Sequence, residues 1–211
     1  HLYGGLGQNL FNPAMVAFAV CIVSFPALMS QWPGVGLHLS LADQASVIFG
    51  LSPRVDALSS ATPLDALKTS LKLGDGSINV PALLANQELY GTFAGRGWEF
   101  IAFGYLVGGL WLWYAGLITW QVPVAFIASL ATLSGALWLY NPQQFASPLF
   151  HLFSGSAMLG AFFIATDPVS GCTTPRGKLI FGACAGLLAY LIRVFGGYPD
   201  GVAFAVLLMN I

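Results

Sequence analysis

Residues 98–119 and 121–140 form two successive apolar runs. Each reaches the about 20 residues that an α-helix needs to cross the hydrocarbon core of a bilayer. Runs at 149–166 and 179–195 are near the lower limit. Another covers 13–29, with Pro13 in the first turn, where proline is tolerated. Residues 202–211 read as the start of a further helix. The expected fold is therefore an all-α integral membrane protein, a multi-span helical bundle held in a lipid bilayer. Composition agrees: 57% of residues are hydrophobic and 7% charged, against about 25% charged in a soluble domain.

The net charge of −1 excludes electrostatic nucleic-acid binding, which needs basic patches. Cys21, Cys172 and Cys184 are too few for an iron–sulfur cluster, which takes about four thiolates. Cys21 and Cys184 read as small apolar filler. His1, His38 and His151 lack the spacing of a haem or zinc site, and His151 reads as a packed or interfacial residue. No metal site and no catalytic residue is expected. The chain opens at His1 without an initiator methionine and stops at Ile211 inside an apolar run, so it reads as a fragment lacking both ends.

Gly104-x-x-x-Gly108 and Gly182-x-x-x-Gly186 have the spacing of close helix packing in lipid. Trp111, Trp113, Tyr114, Trp120, Trp138 and Tyr140 cluster near helix ends, as an aromatic belt does. Residues 30–97 differ from the rest. They carry Asp43, Asp56, Asp65, Asp75 and Glu88 and read as one long extramembranous loop, a feature that is often functional. Two crossings after this loop return the chain to the same side at 141–148. The next crossing puts 167–178, with Arg176 and Lys178, on the opposite side. The positive-inside rule makes that side cytoplasmic, so the long loop faces outward.

Within the loop, Thr62 is a suitable helix N-cap, Pro63 suits the first helical position, and Asp65 resembles the acidic partner of a capping box. Leu64, Leu67 and Leu71 recur at helical spacing, and Gly74 can end the helix. A short amphipathic helix explains these residues. Such a helix N-terminus also favours a phosphate, through its free N–H groups and dipole. Lys68 and Lys72 share a helix face; it reads as solvated, with attraction of a phosphate as the other option. Arg193, near the end of its span, reads as snorkelling to the outer interface. Glu99 favours the N-terminus of the helix it opens.

The stretch Asp56-x-x-Ser59-Ser60-Ala61-Thr62 resembles the target of the flavin transferase that links flavin mononucleotide (FMN) to threonine through a phosphoester. Asp56, Ser59, Ala61 and Thr62 match that motif, and Ser60 stands where glycine is usual. The segments 4–14, 94–99, 162–169 and 196–205 resemble the RnfD component of Rnf (Rsx) ion-translocating electron transport complexes, in the NqrB/RnfD family. The resemblance implies a urea-transporter-like inverted-repeat fold and covalent FMN on Thr62 in an outward, periplasmic loop of the bacterial inner membrane. It implies electron transfer between ferredoxin and NAD coupled to Na⁺ or H⁺ movement. The implied partners are the other Rnf subunits and the flavin transferase. A riboflavin site is also implied, with no residues located here.

Asn12-Pro13 and Asp167-Pro168 each lie at the edge of an apolar run, and helix breaks of this kind build transporter sites. Asp167 is a candidate ion-pathway residue, since an ionisable group at membrane depth is often functional. The alternative is an interfacial turn or a helix-capping aspartate. Two other function classes compete with the electron carrier: a cofactor-free solute channel and a structural scaffold. Neither needs a flavinylation motif.

Overall fold

A computed structural model describes residues 9–30, 32–33, 40–51, 59–74, 79–86 and 88–211. Four helices open in the same way, with a polar N-cap followed by proline: α1 (Pro13–Ser24), α4 (Pro63–Leu73), α8 (Pro148–Phe153) and α10 (Pro175–Phe195). Their caps are Asn12, Thr62, Ser147 and Thr174. Each side-chain oxygen accepts a first-turn N–H that the helix cannot satisfy itself. The remaining helices are α2 (Pro26–Met29), α3 (Leu41–Ile48), α5 (Val80–Leu84), α6 (Trp98–Tyr114), α7 (Gln121–Tyr140), α9 (Ala157–Leu159) and α11 (Val202–Met209). Two-residue strands β1 (Trp32–Pro33) and β2 (Ser59–Ser60) pair antiparallel, Trp32 opposite Ser60.

Helices α7 and α10 are both long and apolar enough to cross a membrane. At 20 and 21 residues they reach about 30 Å, and they pack side by side in parallel. Gly182 and Gly186 make that approach possible. A Cβ on Gly182 would lie 2.7 Å from the Val122 carbonyl oxygen, and one on Gly186 would strike the Phe126 carbonyl. This Gly-x-x-x-Gly pair is a packing seam, as its spacing predicts. The other pair behaves differently. Among the described residues, a Cβ on Gly104 would meet nothing and one on Gly108 would touch only Phe163, while the neighbouring Gly109 takes the Phe162 ring.

The remaining predicted spans are shorter or broken. The 98–119 run is helical only to Tyr114, and Gly116 turns the chain with φ of 71°. The 13–29 run breaks at Phe25, before Pro26. The 149–166 run is no single helix. Helix α8 stops at Ser154, Gly155 adopts φ of 62°, α9 restarts at Ala157, and Gly160–Ile164 form a π-helical turn. Apolar composition reports burial or lipid contact; it does not report whether the backbone stays helical.

Phe126, Leu130, Ala161, Ala185, Tyr190, Val202 and Val206 form the centre of the main core. A second core, of Leu64, Leu67, Val80, Tyr90, Ala94, Ala146 and Phe150, joins the loop elements to α8. Outward faces stay apolar: Phe100, Phe103, Trp111, Tyr114, Leu139 and Tyr140 are all exposed. Such a surface suits lipid. Cys21 is exposed and Cys184 half-buried, both as free thiols.

Two hydrogen bonds mark the two ends of the bundle. The Val80 N–H donates to Gln143 O at 2.8 Å, which places the loop and residues 141–147 at one end. At the other, Lys178 Nζ donates to Thr119 Oγ1 at 3.1 Å.

Candidate functional site

Thr62 caps α4 with extended backbone, φ −65° and ψ 155°. Its Oγ1 accepts the Asp65 N–H at 3.2 Å. The residue is half-buried and Ala61 before it is exposed. Pro63 is buried behind it. The Tyr90 hydroxyl donates to Pro63 O at 3.4 Å, and Gly95 is so close that any Cβ there would strike the Pro63 ring. Ser60 lies in the β-pair immediately upstream. Asp56 falls outside the described residues, as does the side chain of Ser59.

A phosphoester on Thr62 fits this position in one respect. The hydroxyl sits at the positive end of an 11-residue helix, where negative charge is favoured. Asp65 in the first turn opposes that charge. Lys68 does not offset it, and here the structure corrects the expected solvated position of Lys68, while Lys72 is exposed as expected. The Lys68 ammonium turns to the bundle and donates to Tyr198 O at 2.7 Å and Ile192 O at 3.2 Å. Burial, with Lys72 adding to it, lowers its pKa to about 8, against the smaller opposing pull of Asp65.

Beneath α4 lies a polar node that sequence reading missed. Arg193 is 3% exposed, so it does not snorkel. Its guanidinium pairs with Asp200 Oδ1, 3.2 Å from Nη2 and 3.3 Å from Nε, and its Nη1 donates to His151 O. Asp200 Oδ2 accepts the Ser156 N–H at 2.7 Å and the Ser156 hydroxyl at 2.6 Å. The Val202 N–H adds a fifth donor at 3.3 Å. One carboxylate thus holds the restart after the helix break, the end of α10 and the start of α11. The available signal was a lone acid set among glycine and proline between two apolar runs. His151 is packed, as expected, and 5% exposed.

Asp167 sits at the opposite end. Its Oδ1 accepts Val169 N–H at 3.3 Å, and Oδ2 accepts the Ser170 N–H at 3.3 Å and hydroxyl at 2.8 Å. It therefore organises its own turn. It also lines a cavity of about 240 Å³ with Thr119, Thr166, Cys172 and Lys178. The Asn12-Pro13 break lies beside it. Asn9 N–H donates to Val169 O at 3.2 Å, and Asn12 Nδ2 to Ile164 O at 3.4 Å. With the Asn210 amide oriented by its hydrogen bonds, its oxygen accepts the Asn12 N–H at 2.8 Å. The two X-Pro breaks noted in the sequence are thus neighbours in space. Glu99 accepts Phe93 N–H at 3.2 Å and ties the loop to the start of α6.

The sequence matches the NQR2, RnfD, RnfE family over residues 1–211. The chain belongs to that family. It is 50% identical over 225 residues to the D subunit of the ion-translocating oxidoreductase complex of Yersinia pseudotuberculosis (serotype O:1b), covering 100% of this chain and 63% of that protein. The protein of the same name from Pseudomonas paraeruginosa is 51% identical over 212 residues, covering 100% and 60%. The Aliivibrio salmonicida protein is 50% identical over 225 residues, covering 100% and 63%. The chain spans less than two thirds of the length of these relatives.

Proposed function

We propose that this family member is a multi-pass membrane subunit of an ion-translocating electron transport complex and carries FMN as a phosphoester on Thr62. The observation that carries this reading is the Asp56-x-x-Ser59-x-Ala61-Thr62 spacing, with its threonine at the N-terminus of α4. Bound there, a flavin would supply one- and two-electron redox chemistry. The chain's own part is to anchor it. Thr62 Oγ1 provides the ester oxygen, Pro63 fixes the turn, and Tyr90 and Gly95 hold that turn against the second core. The loop faces the periplasm, and Arg176 and Lys178 mark the cytoplasmic end. The names of the relatives support the complex. Ferredoxin and NAD as redox partners, and Na⁺ or H⁺ as the moved ion, complete the proposal, together with a flavin transferase for maturation.

The full-length protein, co-expressed with the flavin transferase and run on a denaturing gel, should give a flavin-fluorescent band at its own mass. Absence of the band rejects the covalent flavin, and persistence in Thr62→Val moves it to another residue. Asp167 is the proposed ion-pathway carboxylate, because it lines the cavity at the cytoplasmic end. Asp167→Asn in the whole complex should slow ion-coupled turnover and leave flavin content intact. Unchanged ion transport rejects that role.

A further inference from the structure

His151 and Ser154 are three residues apart at the end of α8, and Tyr190 and Arg193 are three apart on α10. The α10 pair shares a helix face, whereas Ser154 is the C-cap of α8 and has extended backbone. The end of α8 meets that face: the His151 and Tyr190 rings stand 4.8 Å apart and edge-on, Arg193 Nη1 reaches His151 O, and a Cβ on Gly155, next to Ser154, would lie 3.3 Å from Arg193 Nη2. His151, Ser154 and Tyr190 are 5%, 1% and 0% exposed. Yet His151 Nδ1, Ser154 Oγ and Tyr190 Oη find no hydrogen-bond partner among the described residues. Buried polar atoms are almost always paired with protein or ordered water. Three such atoms, two on facing helices and one at the break between them, are the setting in which buried water is found.

We propose that His151, Ser154 and Tyr190 bind buried water, which bridges α8 and α10 where the fourth span breaks. A cation does not suit this site. Arg193 already places a positive charge there, and Asp200 spends its oxygens on five donors, against about four lone-pair sites on a carboxylate. What remains is neutral and can both donate and accept, as water does. Arg193 and Asp200 would frame the site without binding its contents. The inference stands independently of the flavin on Thr62.

Hydroxyl-radical footprinting by X-ray pulse, read by mass spectrometry on the full-length protein in its membrane complex, tests it. Radicals formed from a bound water label its neighbours even when they are buried. Tyr190 and His151 should be labelled several-fold faster, after correction for intrinsic reactivity, than Phe126, which is equally buried among apolar groups. Ser154→Ala should slow labelling of Tyr190 and leave exposed Tyr140 unchanged. Labelling of Tyr190 and His151 at the Phe126 rate would overturn the proposal. Fast labelling that Ser154→Ala leaves untouched would overturn the shared site. Melting temperature gives a second reading that does not depend on labelling. Tyr190→Phe should lower it if the hydroxyl holds water, and a neutral or raised value would count against the site.

Discussion

The α7–α10 seam and the broken path through α8, α9 and α11 lie side by side and are held by different forces. Along the seam the backbone groups bond within each helix. Contact there is steric, set by Gly182 and Gly186 against the carbonyls of Val122 and Phe126. Along the broken path, backbone groups are released at each interruption and side chains take them up. Asp200 accepts the N–H groups of Ser156 and Val202, Lys68 donates to Tyr198 O, and Lys68 and Asn12 add second donors to Ile192 O and Ile164 O, which already accept the Gly196 and Asp167 N–H groups. In an apolar environment a broken helix is tolerated only with such replacements. Charged residues are therefore found where the helices stop.

The largest predicted effect attacks the broken path. Asp200→Ala leaves Arg193 buried and unpaired and frees the Ser156 and Val202 N–H groups. Removing one member of a fully buried pair costs about 3 kcal/mol or more; Arg193 is buried and Asp200 only partly so, which brings the expected loss to about 2–3 kcal/mol, and the melting temperature in detergent should fall steeply. Arg193→Met combined with Asp200→Leu should be less damaging than Asp200→Ala alone, because no charge is then stranded. Equal or greater damage in the double variant would mean that Asp200 acts chiefly on backbone groups.

Gly186→Ala attacks the seam. Its Cβ meets a backbone carbonyl, so the helices must part, at a cost of about 1–3 kcal/mol as for overpacking in general. Gly104→Ala is its control. That Cβ meets nothing among the described residues, and the change should be neutral or stabilise by up to about 1 kcal/mol on helix propensity.

Lys68→Met gives an intermediate loss, about 1 kcal/mol once partial exposure is allowed for. Its pH dependence has a definite sign. The folded pKa, about 8, lies below the ordinary 10.5. Between these values the unfolded chain binds more protons, so stability should rise as pH climbs from about 8 to 10.5. The neutral amine can still donate to both carbonyls. Lys68→Met should flatten that rise in thermal melts, and an unchanged slope would assign it to other groups.

Much of this architecture was legible in the sequence, for identifiable reasons. Apolar length marked α7 and α10, and glycine spacing marked Gly182 and Gly186 as a packing face, without naming α7 as its partner. The cap at Thr62 followed from the threonine–proline pair. The breaks at Phe25 and Ser154–Ser156 were not legible, because hydropathy is the same on either side of an interruption. Arg193 was misread for a related reason. A cation near a span end looks the same whether it reaches water or a carboxylate seven residues on, and only the turn at Gly196–Gly201 decides. Lys68 was misread because its acceptors are carbonyls of a distant helix end, which carry no residue signature. Thr62 shows the limit from the other side. Asn12, Ser147 and Thr174 cap their helices before a proline in the same way. Geometry alone therefore does not separate Thr62 from its equivalents, and the surrounding motif does.

That separation is what peptide mass spectrometry of the full-length protein, made with the flavin transferase, tests most directly. The account predicts FMN on the peptide containing Thr62 and on no peptide containing Asn12, Ser147 or Thr174. An unmodified Thr62 peptide in the presence of active transferase, or flavin on another residue, would contradict it.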